Sequence, residues 1–188
     1  MTEFTTHTIE TAPEGAKKML EGVQGKYGFV PNLMATMAES PALVEAYIAL
    51  SGIFGKTDLS ETERQIIAMT NNRLNGCTYC MAAHTTISKG AGVPQDVIDA
   101  LRHNTPIADT KLEALRQFAI IVNETRGWPT NDQVQDLLDA GYTKQTVLEV
   151  VLGTAYKVLS NYTNHIAETE VDTAFAPNAW AEDDAAAA

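Results

Sequence analysis

Apolar residues recur at spacings of three and four along most of this chain, and proline or glycine separates one such run from the next. A spacing of three to four places apolar side chains on one face of an α-helix, whereas a strand needs alternation at every second residue. Strand-like alternation is weak throughout the sequence. The spacing therefore predicts an all-α protein, built as a succession of helices joined by short turns.

Turn markers and capping patterns predict where these helices begin and end. Ser60 with Glu63, and Thr130 with Gln133, have the spacing of capping boxes, which mark helix N-termini. Prolines open several of the other helices, and glycines end them. The predicted helices are about 13–27, 41–54, 60–74, 77–90, 94–103, 109–126, 130–140 and 143–168, with a short apolar turn at 31–40.

The last predicted helix, 143–168, is also the longest. Its apolar residues share a face that is expected to lie against the core: Leu148, Val151, Leu152, Ala155, Leu159 and Ile166. His165 lies on a polar stripe of the same helix with Asn161 and Glu168. A histidine on a buried helix is either a hydrogen-bonded structural group or part of a functional site.

The composition is that of one globular domain. With 188 residues, 45% of them apolar and 20% charged, the chain is long enough for one hydrophobic core and short for two. We therefore expect a single domain spanning 1–188. The first residues lack the basic and apolar blocks of a signal peptide. No apolar run is as long as a membrane span, which needs about 20 residues. A cytoplasmic location without membrane insertion is expected.

The formal net charge of −11 disfavours binding to nucleic acids and to anionic membranes, because both carry negative charge. Part of this charge lies in an acidic tail that begins at about residue 169. The last 21 residues contain no Lys or Arg and six carboxylates: Glu168, Glu170, Asp172, Glu182, Asp183 and Asp184. Phe175 and Trp180 are large apolar groups in this region, and we expect them to dock on the body of the chain or on a neighbouring subunit.

Two cysteines and a histidine form the pattern on which the functional interpretation depends. Cys77, Cys80 and His84 follow a helix break at Asn75-Gly76 and share one face of the next helix near its N-terminus. The helix dipole there favours a thiolate. An axial separation of about 4.5 Å between the cysteines suits a reversible disulfide. Because His84 lies one turn beyond Cys80, it can exchange a proton with Cys80, which makes Cys80 the attacking thiol and Cys77 the resolving one.

A zinc site is the rival interpretation of Cys-x2-Cys-x3-His. On a continuous helix, Cys77 and His84 lie about 10 Å apart along the axis, whereas each ligand must come within about 2.0–2.3 Å of the ion. No metal and no cofactor is therefore expected. A purely structural role, with two buried thiols and a core histidine, stays open at this point.

A family resemblance is carried by residues 59–94, LSETERQIIAMTNNRLNGCTYCMAAHTTISKGAGVP. This stretch resembles the signature region of the alkylhydroperoxidase D (AhpD) and carboxymuconolactone decarboxylase superfamily. Helical patterning on both sides, including LEVVLGTAYKVLSNYTNHIAE, extends the resemblance over most of 13–168. It implies an AhpD-like helical bundle that assembles into trimers or hexamers.

The resemblance also implies a peroxidase reaction. In peroxidase members of the family, the second cysteine attacks a hydroperoxide and becomes a sulfenic acid, which the first cysteine captures as a disulfide. The matching residues are Cys80 and Cys77, and the family histidine that relays protons to the thiols matches His84. A dithiol reductant, in some members a lipoyl-bearing protein, then restores the thiols.

The chain departs from the family pattern in its proton relay. The usual glutamate twelve residues before the first cysteine is Gln65 here, which does not accept a proton near neutral pH. Tyr79 stands between the cysteines, where some members have a histidine, and it is a possible relay residue. Glu61, one turn before Gln65, and His165 are candidates to replace the missing carboxylate, whereas Glu63 is assigned to the capping box.

Two other functions remain open on the sequence alone. A carboxymuconolactone-type decarboxylase shares the fold but needs no redox pair, so Cys77 and Cys80 count against it. A non-enzymatic, oligomeric redox-sensing module would use the cysteine pair only to report oxidation. The glutamine at position 65 keeps this third interpretation open.

Overall fold

Helices and turns, with no strand, make up residues 2–181, which the computed structural model describes. The predicted all-α class is therefore confirmed. None of the helices in this range has both the length and the apolar character needed to cross a membrane. Glu182, Asp183 and Asp184 of the predicted acidic tail lie outside the described residues.

The helices are α1 (Glu14–Tyr27), α2 (Asn32–Met37), α3 (Pro41–Phe54), α4 (Glu61–Leu74), α5 (Thr78–Gly90), α6 (Gln95–His103), α7 (Thr110–Glu124), α8 (Asn131–Asp139) and α9 (Lys144–Ala167), followed by a 3₁₀ turn at Ala176–Asn178.

Both predicted capping boxes are present, at the starts of α4 and α8. The Glu63 N–H donates to Ser60 Oγ at 3.2 Å, and the Ser60 N–H donates to the Glu63 carboxylate at 2.7 Å. Thr130 and Gln133 make the same pair of bonds at the start of α8. Each box satisfies two backbone groups at a helix end. Glu63 therefore has the structural role predicted for it.

α4 lies among α5, α6, α7 and α9 and packs against all four. Ile66, Ile67 and Met69 on this helix are completely buried. α9 packs closely on α3 and α4 because Gly153 presents no side chain to them. A Cβ at Gly153 would lie 2.7 Å from Ile67 Cγ2 and 2.8 Å from a ring carbon of Phe54. This close contact sets the position of α9 beside the cysteine helix.

The prediction of which face of α9 meets the core was wrong. Leu148, Val151 and Ile166 are 70%, 49% and 69% exposed, and only Leu152 and Leu159 of the predicted apolar face are packed against the core. Hydrophobicity alone assigns the apolar face to the interior. Here the interior holds a polar site, so the opposite face of the helix points inward.

The residues after α9 pack back onto the helices of the same chain. The Phe175 ring lies edge-on to Tyr79, with centroids 6.1 Å apart. Trp180 is buried, and its Nε1–H donates to the Arg102 carbonyl at 3.1 Å. The docking predicted for Phe175 and Trp180 is thus confirmed, on the body of their own chain. These two side chains consequently give no support to a contact with a neighbouring subunit.

Candidate active site

The cysteine pair occupies the first turn of α5, so the prediction that this motif begins a helix is confirmed. Cys77 is the N-cap residue, and a turn through Gly76, with φ of 64°, connects it to α4. Both cysteines are free thiols and both are 1% exposed. Cys80 follows three residues after the N-cap, where the positive end of the helix dipole favours a negative charge.

The two thiols differ strongly in acidity. Burial raises the pKa of Cys80, but a hydrogen bond from Cys77, the positive charge of Lys157 and hydrogen bonds from Ser160 and Asn161 together lower that pKa to about 5. The same hydrogen bond to Cys80, together with burial, raises the pKa of Cys77. At neutral pH, Cys80 is therefore a thiolate and Cys77 a thiol that donates to it.

Amide side chains hold the cysteine turn against α4 and α9. Asn164 Nδ2 lies 3.2 Å from Cys80 Sγ and 3.6 Å from Cys77 Sγ, and it donates to both. Asn72 Nδ2 donates to the backbone carbonyl of Cys80 at 3.2 Å, and Asn161 Nδ2 donates to Asn72 Oδ1 at 3.0 Å. Donors aimed at a sulfur atom favour its ionised form, so Asn164 stabilises the Cys80 thiolate.

A buried lysine on α9 makes a hydrogen bond to His84. Lys157 is 0% exposed, and its Nζ donates to His84 Nε2 at 2.9 Å. An ammonium group can only donate, so Nε2 carries no proton and Nδ1 carries it. His84 Nδ1 then donates to Gln65 Oε1 at 2.8 Å. Burial and the charge of Lys157 hold the pKa of His84 well below its usual value, so this imidazole is neutral at neutral pH.

Gln65 connects His84 to a carboxylate. Its Nε2 donates to Glu61 Oε1 at 2.7 Å, while its Oε1 also accepts from Ser88 at 3.3 Å. Lys157, His84, Gln65 and the partly exposed Glu61 thus form one continuous chain of hydrogen bonds. A neutral amide does not titrate in the working range. Gln65 therefore sets the orientation and tautomer of His84, and it separates Glu61 from the histidine.

Tyr79 and His165, the other two candidate relay residues, make no hydrogen bond to the members of this chain within residues 2–181. Tyr79 Oη donates to Asp172 at 2.6 Å and accepts from the Leu33 N–H at 3.2 Å, so it anchors the C-terminal segment. His165 is exposed to solvent. It lies about 100° around α9 from the buried Asn164, and this angle turns it away from the thiols.

Sequence reasoning missed the contribution of α9 to this site. The sequence feature that indicates this contribution is a polar stripe with i, i+3, i+4 and i+7 spacing. Such spacing places its members on one helix face. The stripe consists of Lys157, Ser160, Asn161 and Asn164, all of them buried. Four polar residues on one face of a long helix normally mark its solvent side. Here they surround the cysteines instead.

A cavity of about 100 Å³ opens onto Cys80. Cys80, His84 and Lys157 line one part of it, whereas Cys77 is not among the lining residues. Aromatic side chains provide much of the remaining wall: Tyr27, Phe29, Tyr47, Tyr79, Tyr156 and Phe175. A small apolar molecule that enters this cavity can therefore contact Cys80 but not Cys77.

Residues 2–181 contain no group of three or more His, Cys, Asp or Glu side chains arranged to hold a metal ion. The ring nitrogens of His84 are both engaged, one with Gln65 and one with Lys157. A metal ion would have to displace one of these hydrogen bonds.

Comparison with known proteins agrees with the all-α fold. Residues 41–120, from α3 into α7, match the model of the carboxymuconolactone decarboxylase family. No curated protein matches the chain in sequence. The chain is similar in fold to a peroxidase-related protein from Ralstonia eutropha JMP134 with an alkylhydroperoxidase AhpD core, at 22% identity and a TM-score of 0.82, over 92% of this chain and 93% of that one.

Two further solved structures have the same fold. A peroxidase-related protein from Silicibacter sp. TM1040 is 20% identical with a TM-score of 0.78, over 93% of this chain and 92% of that one. A variant of the debrominase Bmp8, in complex with 2,3,4-tribromopyrrole, is also 20% identical with a TM-score of 0.78, over 95% and 96% of the two chains. The family match and these folds confirm the resemblance to the AhpD and carboxymuconolactone decarboxylase superfamily, and with it the AhpD-like fold.

Proposed function

We propose that this chain is a thiol-dependent peroxidase that reduces hydroperoxides through Cys80 and Cys77. The observation that carries the proposal is a stabilised thiolate on the wall of an apolar cavity. Cys80 has a lowered pKa and lines the cavity, whereas Cys77 has a raised pKa and does not line it. This asymmetry supports Cys80 as the attacking thiol and Cys77 as the resolving one.

The proposed reaction has three steps. The Cys80 thiolate attacks the terminal oxygen of the hydroperoxide, the O–O bond breaks, and the products are a Cys80 sulfenic acid and an alkoxide that takes up one proton. Cys77 then attacks the sulfenic sulfur, so a disulfide forms and water leaves. A dithiol reduces the disulfide, which regenerates one thiolate and one thiol, releases one proton and leaves the dithiol oxidised.

Lys157 is suited to hold the proton that this cycle takes up and releases. Its ammonium group lines the cavity and donates to His84 Nε2. In the proposal, Lys157 gives its proton to the leaving alkoxide and regains one when the disulfide is reduced. His84 accepts the hydrogen bond of Lys157 and holds the amine in place. The cycle therefore needs no proton transfer through Gln65, which accounts for an amide at that position.

A dithiol reductant, such as a lipoyl group on a carrier protein, is part of the proposal. Cys77 and Cys80 are each 1% exposed, so a reductant has to reach the disulfide through the cavity. A dithiol at the end of a slender arm fits that access better than a thiol fixed on a protein surface.

A thiol titration tests the proposed function. One equivalent of organic hydroperoxide is expected to remove both thiols of the reduced protein, and mass spectrometry is expected to show a loss of two hydrogens within one peptide. Excess dithiol and hydroperoxide should then give repeated turnover. Retention of both thiols would support the decarboxylase alternative, and oxidation without turnover would support a redox sensor.

A second candidate activity is reductive debromination. Its support is the fold shared with the debrominase Bmp8 and the aromatic wall beside Cys80. In such a reaction the Cys80 thiolate would take the bromine, the ring carbon would receive a proton, and Cys77 would release bromide as the disulfide forms. The same thiol titration with tribromopyrrole, combined with bromide detection, separates this activity from peroxide reduction.

We also propose that the chain forms a homo-oligomer, a trimer or a hexamer. The support is the outward face of α9, where Leu148, Val151, Tyr162 and Ile166 are each 49–70% exposed. Exposed apolar side chains in such number favour a protein contact.

Light scattering at micromolar concentration is expected to report at least a trimer. Val151→Glu should lower the mass, because it places a charge within an apolar contact. Ile53→Glu is the control, since Ile53 is 53% exposed and lies outside α9. A monomeric wild-type protein would contradict the proposal.

A further inference from the structure

Two tyrosine hydroxyls meet at the wall of the Cys80 cavity. Tyr47 on α3 and Tyr156 on α9 stack with ring centroids 5.0 Å apart, and their Oη atoms are 3.0 Å apart. Both residues are buried, and both line the cavity. Each hydroxyl carries one proton, so a hydrogen bond between them uses one O–H and leaves the other free to donate. Within residues 2–181, neither hydroxyl makes another hydrogen bond.

Tyr79, the third buried tyrosine that lines the cavity, has no unused donor. Tyr79 Oη donates to Asp172 and accepts from the Leu33 N–H, so its donor is already used. A buried donor without an acceptor costs free energy. The unused O–H of the Tyr47–Tyr156 pair is therefore the group in this wall that gains most from an acceptor on a bound molecule.

The charges around the cavity favour an uncharged ligand. The positive charge of Lys157 balances the negative charge of the Cys80 thiolate, and His84 is neutral. Among residues 2–181, no carboxylate or arginine lines the cavity. An ionised ligand would add a charge with no partner, which is costly in an apolar site.

The volume of the cavity limits the size of the ligand. At about 100 Å³, the cavity is smaller than the roughly 150 Å³ of an engineered cavity that binds benzene. It therefore suits a compact molecule no larger than benzene, which has six heavy atoms.

We propose that the ligand of this cavity is a compact, uncharged molecule with an acceptor oxygen, and that the Tyr47–Tyr156 pair donates the hydrogen bond that orients this oxygen beside Cys80. The identification of the acceptor as a hydroperoxide oxygen rests on the proposed function. The substrate class is then small alkyl hydroperoxides, rather than long-chain or charged ones.

Binding of two unreactive ligands tests the phenol pair without any peroxide chemistry. Cyclopentanone carries an acceptor oxygen, whereas methylenecyclopentane has the same shape and no acceptor. NMR titration of the reduced protein gives the ratio of their dissociation constants. In Tyr47→Phe/Tyr156→Phe, the affinity for the ketone relative to the alkene is expected to fall about tenfold, as the loss of one buried hydrogen bond predicts, while the alkene binds as before.

Both hydroxyls are removed together because either one, left alone, is released from its partner and can donate to the ligand. Tyr162→Phe is the control, since Tyr162 is exposed and does not line this cavity. A ratio that stays within twofold in the double variant overturns the inference. Unchanged binding of the alkene shows that the variant is folded.

A second measurement uses the wild-type protein alone. Thiol loss is expected to be at least tenfold faster with tert-butyl hydroperoxide than with a long-chain fatty-acid hydroperoxide. The opposite order overturns the substrate class but leaves the peroxidase proposal standing, because thiols are lost in both cases. If neither compound removes the thiols, the proposed function fails, and the ligand-binding ratio still decides the role of the phenol pair.

Discussion

Cys80→Ser is expected to abolish the reaction with hydroperoxide, whereas Cys77→Ser is expected to stop the reaction after one oxidation. Cys80 is the thiolate and lines the cavity; Cys77 is a buried thiol whose pKa is raised. Without Cys80, the remaining thiol is still buried and does not line the cavity, so it is out of reach of the substrate. Without Cys77, the sulfenic acid on Cys80 has no resolving partner.

Mass spectrometry with a sulfenic-acid trap such as dimedone distinguishes these outcomes. The Cys77→Ser variant should carry one adduct, on Cys80, and the Cys80→Ser variant should carry none. The fold is expected to survive in Cys77→Ser because Cys77 occupies an N-cap position, which serine also favours. An adduct on Cys77, or sustained turnover by Cys77→Ser, would contradict the assignment of roles.

Lys157→Met is expected to slow hydroperoxide reduction by about 10²-fold or more, because general acid assistance of this kind is typically worth about 10²–10⁴-fold. In the proposed reaction, the variant loses the proton donor for the leaving oxygen. It also loses one of the groups that lower the pKa of Cys80, whose thiolate in the wild type persists down to about pH 5. The pH midpoint for alkylation of Cys80 by iodoacetamide should therefore rise.

Alkylation near pH 7 should change much less than peroxide reduction. A thiol with a higher pKa is less ionised, but its thiolate is more nucleophilic, with a Brønsted slope of about 0.4–0.5. Alkylation needs no proton for the leaving group, so a large loss confined to peroxide reduction identifies Lys157 as the proton donor. An unchanged alkylation midpoint together with an unchanged peroxide rate would contradict both roles.

Two further variants separate charge from packing. Lys157→Gln keeps a donor for His84 Nε2 without a charge, and it should behave like Lys157→Met in both assays. Lys144→Met removes an exposed lysine from the first turn of the same helix and should change neither. Wild-type rates in Lys157→Gln would show that these reactions depend on the hydrogen bond to His84 and not on the positive charge.

Local sequence patterns predicted the helices well because the signals involved act over a few residues. The boxes of Ser60 with Glu63 and of Thr130 with Gln133 satisfy backbone groups within a single turn, so they form wherever the helix begins. The position of Cys77 and Cys80 at a helix start is local in the same way. The spacing of His84 from Cys80 likewise follows from helix geometry.

Local patterns did not predict which face of α9 points inward. The helix has an apolar face with Leu148 and Val151 and a polar face with Lys157 and Asn164, and hydrophobicity alone favours burial of the first. Burial of the polar face is stable because its polar groups form hydrogen bonds with residues on other helices. Lys157 donates to His84, and Asn164 donates to the thiols. These partners are more than 70 residues away in the sequence. The spacing of residues within one helix therefore does not reveal them.

The sequence by itself determined that this protein is helical, that two cysteines begin one helix, and that a histidine lies one turn beyond them, because each of these depends on neighbours within two turns. Only the tertiary structure decided how acidic each cysteine is and which groups form hydrogen bonds with the histidine. Those properties depend on Lys157, Gln65 and Asn164, which reach the thiols or His84 from α9 and α4. Electrostatic and hydrogen-bond energies act through space, so they are set when the helices pack and not before.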